Sequence, residues 1–220
     1  MFTVLEQKRI QSVVKGCRRV LDIGCGSGWM AERLQQHGTE AYGIDTSQAA
    51  IALASEKVNP SRLKCGTLMS ARFEADFFDA AVAVHVLEHV EDPVAFATEA
   101  RRILKEGGIL LLRIPNIASW EARLAGSRWY HFDYPFHIAH YSPRAVTRLL
   151  QACGFRDVRI RFAVTEYRQT LLYSVLSALG IPLPFWLKVA LLPLQVVFMP
   201  LACLLSLLGD SATIEVVAQK

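Results

Sequence analysis

The chain has 220 residues, of which 52% are hydrophobic and 20% charged, and its formal net charge is +4. This length predicts one sizeable domain. Lys and Arg form no runs with interleaved aromatics, which disfavours nucleic-acid binding, and the small positive excess suits an anionic membrane surface only weakly. A mean hydropathy of +0.27 is high for a plain soluble enzyme and directs attention to an apolar segment near the C-terminus.

The cysteines and the N-terminal residues indicate the cellular compartment. Five cysteines are scattered without a Cys-x-x-Cys pair, which disfavours a disulfide framework and a structural zinc site. Residues 1–9 carry early charges and no apolar core of signal-peptide length, so export is not expected. We expect a cytoplasmic protein, with peripheral association on the inner face of the membrane as a further option.

A glycine-rich stretch organises the N-terminal part. An amphipathic helix is predicted over residues 2–15, and a short apolar strand runs from Arg19 to Ile23. Three alternating glycines follow (Gly24, Gly26 and Gly28), and a helix is predicted from Trp29 to Gln36. Glycine permits positive φ and close approach to the backbone, and a helix N-terminus offers unpaired N–H donors. The stretch predicts a ligand at the carboxyl end of a parallel strand; a ligand-free turn is the alternative.

Asp45 ends the second predicted strand, which lies within residues 40–47. It lies 23 positions after Asp22, a spacing at which an acidic residue reaches ribose hydroxyls in nucleoside-binding folds. Its two oxygens can accept from both vicinal hydroxyls. The alternative is that Asp45 caps the next helix, a role that Thr46 or Ser47 could fill instead. A dinucleotide is disfavoured, because Trp29 stands where its fingerprint has the third glycine.

Helices and strands then alternate along the chain. The predicted segments are a helix over 48–58, strands over 62–67 and 80–84, a helix over 94–104 and a strand over 109–116. Residues 80–84 are continuously apolar, as in a strand buried on both faces. Such alternation predicts an α/β protein with a doubly wound, mostly parallel sheet.

Two motifs resemble a known family. Leu-Asp-Ile-Gly-Cys-Gly-Ser-Gly at 21–28 closely resembles motif I of class I S-adenosylmethionine (SAM)-dependent methyltransferases, and Val-Leu-Glu-His-Val at 86–90 resembles motif IV of their small-molecule branch. The resemblance implies a seven-stranded Rossmann-like sheet whose seventh strand inserts antiparallel beside the sixth. It covers about residues 20–155 and the final strand.

The resemblance also implies a set of SAM-binding residues. Many relatives carry an acid at the position of Thr67 for the adenine amino group, and backbone groups near Leu68 and Met69 could substitute here. His85 should lie near the sulfonium, with Glu88 and His89 organising the loop. The cofactor-binding residues implied are Asp22, Gly24, Cys25, Gly26, Gly28, Asp45, Thr46, Leu68 and His85.

Residues 119–142 are rich in aromatic residues and histidine and follow the fifth strand, where the crevice of this sheet should receive an acceptor. A histidine titrates near neutrality and could strip a hydroxyl proton from that acceptor, which makes His137 and His140 the leading general-base candidates beside His85. Pocket-wall histidines bound to backbone are the alternative. His131, His137 and His140 have no Cys partner and no His-Glu-x-x-His, so no metal is expected.

An apolar insertion separates the last two predicted strands, at 155–164 and 212–218. Residues 171–208 carry one charge, Lys188, and are broken by Gly180, Pro182, Pro184, Pro193 and Pro200. Because both flanking strands belong to one sheet, a single membrane span is disfavoured and a helical hairpin that dips into one leaflet is predicted. A hairpin that caps the core or forms a dimer interface is the alternative. The predicted division is 1–170 with 210–220 as the SAM-binding domain and 171–209 as the insertion.

These observations predict a SAM-dependent methyltransferase that acts on a small, hydrophobic or lipid-linked acceptor, preferably at oxygen. Two rival functions are a non-catalytic, membrane-docked protein with the same fold and an NAD(P)-dependent oxidoreductase, the latter opposed by the glycine spacing and by the lack of a Tyr-x-x-x-Lys pair. The acceptor's identity and the oligomeric state are left open by the sequence.

Overall fold

A computed structural model describes residues 4–163, 170–181 and 203–220, together with Leu191 and Pro200. Within these residues the strands form one seven-stranded sheet of order β3-β2-β1-β4-β5-β7-β6. The strands are β1 (Arg19–Ile23), β2 (Glu40–Asp45), β3 (Leu63–Cys65), β4 (Phe78–Val84), β5 (Leu104–Pro115), β6 (Arg156–Phe162) and β7 (Thr213–Gln219).

The helices follow the strands in the alternation expected of a doubly wound sheet. They are α1 (Val4–Val13), α2 (Trp29–Gln35), α3 (Gln48–Ala54), α4 (Pro93–Ile103), α5 (Trp120–Ala125), α6 (Pro143–Ala152) and α7 (Thr170–Ala178). Their starts have local causes. Asp92 accepts hydrogen bonds from the N–H groups of Val94 and Ala95, and the side chain of Ser142 accepts from Ala145, each with a proline in the first turn.

The order of the strands determines where on the sheet the site lies. β1 pairs in parallel with β2 on one side and with β4 on the other, so the chain reverses its winding beside β1. The carboxyl ends of β1, β2 and β4 therefore meet at one edge of the sheet. β4 is buried along Ala80–Ala83, which confirms the prediction of a strand covered on both faces.

The C-terminal half of the sheet has the predicted inversion. β7 is antiparallel to both β5 and β6 and lies between them. Side chains of β6 alternate between exposed and half-buried, as expected for the edge of the sheet. β7 also carries a buried charge: Glu215 accepts from Arg113 of β5 at 3.0 Å and from Arg9 of α1 at 3.0 Å, which fastens α1 to the sheet.

Several element boundaries differ from the sequence-based ones. α3 ends at Ala54 rather than near residue 58, and a 3-10 turn over Pro60–Arg62 leads into a β3 of three residues. β5 begins at Leu104 instead of 109, because its pairing with β4 shifts register between Phe78 and Ala80 and takes up Gly107 and Gly108 as an irregularity. None of these differences moves a strand from its predicted place in the sheet.

Most of the predicted apolar insertion lies outside the described residues. Of the part that is described, α7 packs against α5, with Tyr173 and Ser174 fully buried, and residues 203–207 are helical. Among the described helices, none combines the length and the apolar character that crossing a bilayer requires. The hairpin and the two-part domain division remain predictions.

Candidate functional site

The loop from β1 to α2 forms a backbone cradle. All three of its glycines have left-handed φ values, and the N–H groups of Gly24 and Cys25 bind the carbonyl of Ile44, at 2.8 and 3.0 Å. A Cβ at Gly24 would lie 2.6 Å from the Val86 side chain, whereas a Cβ at Gly26 would meet nothing within 4 Å. The loop is thus packed on one side and open at Gly26, as a ligand-binding turn requires.

Asp45 links this loop to β2. One of its carboxylate oxygens accepts from the Gly26 N–H at 2.9 Å, and the other accepts from the Ser47 N–H at 2.9 Å. Ser47, not Asp45, caps α3, since its hydroxyl accepts from Ala50. Each carboxylate oxygen still has a second lone pair, so Asp45 can hold the loop and accept from ribose hydroxyls at once.

Two cavities open at this edge of the sheet. The larger, of about 610 Å³, is lined by Asp45, Thr46, Leu68, His85 and other residues. The smaller, of about 350 Å³, is lined by Asp22, Cys25, Gly26 and others, and Gly24 borders both. Eight of the nine predicted cofactor residues therefore line one of these cavities. The ninth, Gly28, shapes the loop instead, since a Cβ there would lie 3.0 Å from the Ala54 Cα.

Thr67, the departure from the family pattern, lines the larger cavity but is held in a turn. Its hydroxyl accepts from the Ser70 N–H at 3.2 Å, and its own N–H donates to the Ser70 hydroxyl at 2.9 Å. The adjacent Leu68 is buried against the core, and Met69 is 40% exposed. At the position where many relatives have an acid for the adenine amino group, this chain therefore presents backbone groups and apolar side chains.

Asp22 and Cys25 lie in a weakly hydrated corner of the site. Burial raises the pKa of Asp22 to about 7, and the nearby charge of Asp45 adds to the shift, while a backbone hydrogen bond from Ala31 opposes it. Burial, with the charges of Asp22 and Asp45, raises the pKa of the Cys25 thiol to about 12. Cys25 is thus a neutral packing residue, and it can meet a cofactor only as cavity wall or backbone.

The raised pKa of Asp22 predicts a pH-dependent stability. Between pH 4 and pH 7 the folded protein binds a proton at Asp22 that the unfolded chain has lost, so this group makes the free energy of unfolding fall as the pH rises through that window. Asp22→Asn should leave ligand-free stability unchanged below pH 4 and increase it above pH 7, by at most about 4 kcal/mol. Thermal unfolding at pH 5 and pH 8 measures this; an equal or lower stability of the variant at pH 8 contradicts it.

His85 is the predicted catalytic histidine that lines the larger cavity. It follows β4 with a left-handed φ of 54°, unusual for a residue with a side chain, and its N–H donates to the Arg113 carbonyl at 2.9 Å. Its Nδ1 lies 3.0 Å from the Glu88 carboxylate, which is 1% exposed. The backbone thus directs the imidazole to the cavity, and a buried acid fixes it there.

His137 and His140 are not among the residues lining that cavity. His137 Nδ1 lies 2.6 Å from the His131 carbonyl, and His140 Nε2 lies 3.3 Å from the same oxygen. These contacts support the alternative of wall histidines held by backbone.

His131, His137 and His140 do not form a ligand group within the described part of the chain. There His137 instead joins Glu88 and His89, and one ligand atom from each of these three residues lies within 4.8 Å of the others. Sequence reasoning gave Glu88 the task of organising the loop, with a substrate contact as the alternative, and it missed Gln7 of α1 and Ser27 in the smaller cavity. The lead-in helix, predicted to cover the edge or the pocket, was the available signal for Gln7.

Comparison with known proteins agrees with this geometry. A methyltransferase-domain family model matches residues 6–160. A ubiquinone biosynthesis O-methyltransferase of Alkalilimnicola ehrlichii is 34% identical over 170 residues, 68% of this chain and 69% of that protein. One of Cereibacter sphaeroides is 32% identical over 117 residues, 50% of this chain and 47% of that protein. The chain thus spans about half the length of several of the curated relatives that it matches.

Solved structures share the fold at low identity. A SAM-dependent methyltransferase from Archaeoglobus fulgidus has a TM-score of 0.66 at 23% identity, covering 98% of this chain and 93% of that one. The [4+2]-cyclase SpnF has a TM-score of 0.68 at 22% identity, covering 98% and 80%. The fold therefore does not decide the reaction, and the assignment depends on the family match.

The family match confirms the resemblance read from residues 21–28, the predicted enzyme class and SAM as its cofactor, and it opposes the oxidoreductase alternative. The sheet order, the glycine cradle, Asp45 and the match over residues 6–160 all agree, and the chain belongs to the methyltransferase domain family.

Proposed function

We propose that this chain transfers a methyl group from SAM to a hydroxyl oxygen of an apolar aromatic acceptor of the quinone-precursor type. The observation that carries the proposal is the pair of cavities around Gly24 and Asp45, one for each end of an extended cofactor. The 30–34% identity with curated ubiquinone biosynthesis O-methyltransferases supports the acceptor class.

The residues present fit the cofactor. Gly26 leaves open space above its backbone, and Asp45 retains lone pairs for a diol. The buried Asp22 lies in the smaller cavity, where it would face a cationic group of the ligand. The bound cofactor supplies the reactive methyl; the chain binds, orients and excludes water.

His85 is the proposed general base. As the acceptor oxygen takes up the methyl group, its hydroxyl proton would have to leave, so a base beside that oxygen would be needed. His85 lines the same cavity as Asp45 and Thr46, and the Glu88 carboxylate orients its imidazole through Nδ1. His137 and His140 remain sequence-based candidates for this proton transfer.

The His85→Ala variant is expected to lower kcat about 100-fold, a typical contribution of a general base. S-adenosylhomocysteine (SAH) binding, followed by calorimetry, should change far less. His140→Ala tests the rival candidate and is expected to keep an activity close to that of the wild type. Loss of activity in His140→Ala, with His85→Ala fully active, would transfer the role to His140.

The test of the proposed function is transfer of labelled methyl from SAM to a panel of prenylated and non-prenylated hydroxyphenols, with products identified by mass spectrometry. Methylation at oxygen with a preference for prenylated phenols supports the proposal. Tight SAH binding without any methyl transfer to the panel or to a lipid extract contradicts it and favours the non-catalytic alternative.

We further propose peripheral membrane contact through residues 171–208. Apolar side chains in the described parts of this segment are exposed, among them Leu179, Leu207 and Leu208, at 70%, 85% and 72%. Vesicles of anionic and of neutral lipid should co-sediment with the protein, and a double change of Leu207→Glu and Leu208→Glu should release it. Equal sedimentation of this variant and of a Leu53→Glu control would contradict membrane contact at this surface.

A further inference from the structure

Glu88, which carries a buried carboxylate, links two separate segments beside the larger cavity through its backbone. Glu88 belongs to the 3-10 turn Leu87–His89 after β4. Its backbone carbonyl accepts from the N–H groups of Ile138 and Ala139, at 2.9 and 3.2 Å. His89 Nδ1 adds a contact of 2.8 Å to the Phe136 carbonyl. The turn and the 136–139 segment are therefore held in fixed relation, so that side chains from both can converge.

The Glu88 carboxylate is only half satisfied. One oxygen lies 3.0 Å from His85 Nδ1, and the other has no hydrogen-bond partner among the described residues. Its side chain is 1% exposed. A buried acceptor without a donor or a cation gives up its hydration without compensation, so this oxygen favours a positively charged or donating group nearby.

Two imidazoles, those of His89 and His137, lie close to the Glu88 carboxylate. The contacts of His89 Nδ1 to the Phe136 carbonyl and of His137 Nδ1 to the His131 carbonyl, 2.8 and 2.6 Å, require a proton on each Nδ1, because a carbonyl only accepts. Each Nε2 is then an acceptor. Backbone carbonyls that bind the far nitrogen are the usual partners of metal-bound histidines, since they fix both tautomer and ring orientation.

We propose that Glu88, His89 and His137 bind a first-row divalent cation, with Zn²⁺ as the representative ion. One ligand atom of each lies within 4.8 Å of the others. Three acceptors without a donor attract a cation, and two imidazoles with one carboxylate are a donor set of three-ligand zinc sites. Mg²⁺ is disfavoured because it prefers oxygen ligands. This replaces the sequence-based expectation of no metal, which considered only the histidines of 131–140.

The place of the site suggests its use. His89 lines the larger cavity together with His85 and Asp45, so an open coordination position would face that cavity. There a cation would hold an acceptor hydroxyl and favour its ionised form, a role that rests on the proposed function. Because metal–nitrogen bonds are about 2.0–2.1 Å long, the three ligand atoms would draw closer together than 4.8 Å when the ion binds.

Binding can be measured without cofactor or acceptor. Protein freed of metal by chelator dialysis is titrated with Zn²⁺ by calorimetry and with Co²⁺ by visible absorption. One equivalent is expected to bind, with a dissociation constant in the micromolar range or below. His89→Ala and His137→Ala should each weaken binding at least tenfold, while His140→Ala, from the same segment but outside the ligand group, should bind as the wild type does.

Two results would overturn the site: no saturable binding by the wild type, or wild-type affinity in both His89→Ala and His137→Ala. Thermal melts of the metal-free variants show that they remain folded, and a melting temperature that rises with Zn²⁺ in the wild type but not in His137→Ala supports the site independently. Since neither measurement involves methyl transfer, the metal site and the proposed function can fail separately.

Discussion

Gly26→Ala is expected to reduce SAH binding at least 100-fold while leaving the fold intact. Gly26 has a φ of 51° and borders the smaller cavity, and a Cβ there would meet no protein atom within 4 Å. The added methyl would therefore occupy the space of the cofactor, with a backbone strain of about 1–2 kcal/mol. Calorimetry with SAH measures the first effect, and thermal unfolding without ligand measures the second.

Two other glycines provide the controls for this change. Gly38, after α2, has a φ of 82° and equally open space, so Gly38→Ala carries the same backbone strain without touching either cavity. It should bind SAH as the wild type does. Gly28→Ala should unfold at a lower temperature than either, because its Cβ would lie 2.9 Å from the Ala54 Cβ. Equal SAH affinity of Gly26→Ala and Gly38→Ala would show that the cradle does not hold the cofactor.

The sheet could be predicted because its signals are local. Continuous apolar runs such as 80–84 are typical of strands covered on both faces, and the intervening helices imply parallel crossovers. The antiparallel place of β7 came from the family resemblance, not from any periodicity. The predicted element boundaries were wrong where strand pairing determines them. At β5, for example, the irregular pairing with β4 takes up Gly107 and Gly108.

The candidate site residues could be named one by one from the sequence, but the contacts between them could not. Sequence spacing indicated a ribose ligand at Asp45 but not its hydrogen bond to the Gly26 N–H, which is a contact across the sheet edge. The contact of His89 with the Phe136 carbonyl spans 47 positions. No periodic pattern encodes such a pair, so the convergence of Glu88, His89 and His137 could be found only in the folded chain.

Asp45→Ala should nearly abolish cofactor binding, for a reason that has two parts. The substitution would remove the proposed hydrogen bonds to the ribose, and the Gly26 and Ser47 N–H groups would lose the acceptor that now holds the loop, at 2.9 Å each. Hydrogen bonds to a charged group are worth about 1.5–3 kcal/mol each. The loss of two such bonds to the ribose therefore predicts an SAH affinity at least 100-fold lower.

Asp45→Asn separates these two parts. Its single carbonyl oxygen can accept from the N–H group of Gly26 or of Ser47. Its amide nitrogen would face the other N–H group and cannot accept a hydrogen bond from it. We therefore expect an intermediate loss of about tenfold, and a Glu56→Ala control, which removes an exposed charge near α3, should bind normally. If Asp45→Ala bound SAH with wild-type affinity, neither the ribose contact nor the bridge from β2 to the glycine loop could be what selects the cofactor.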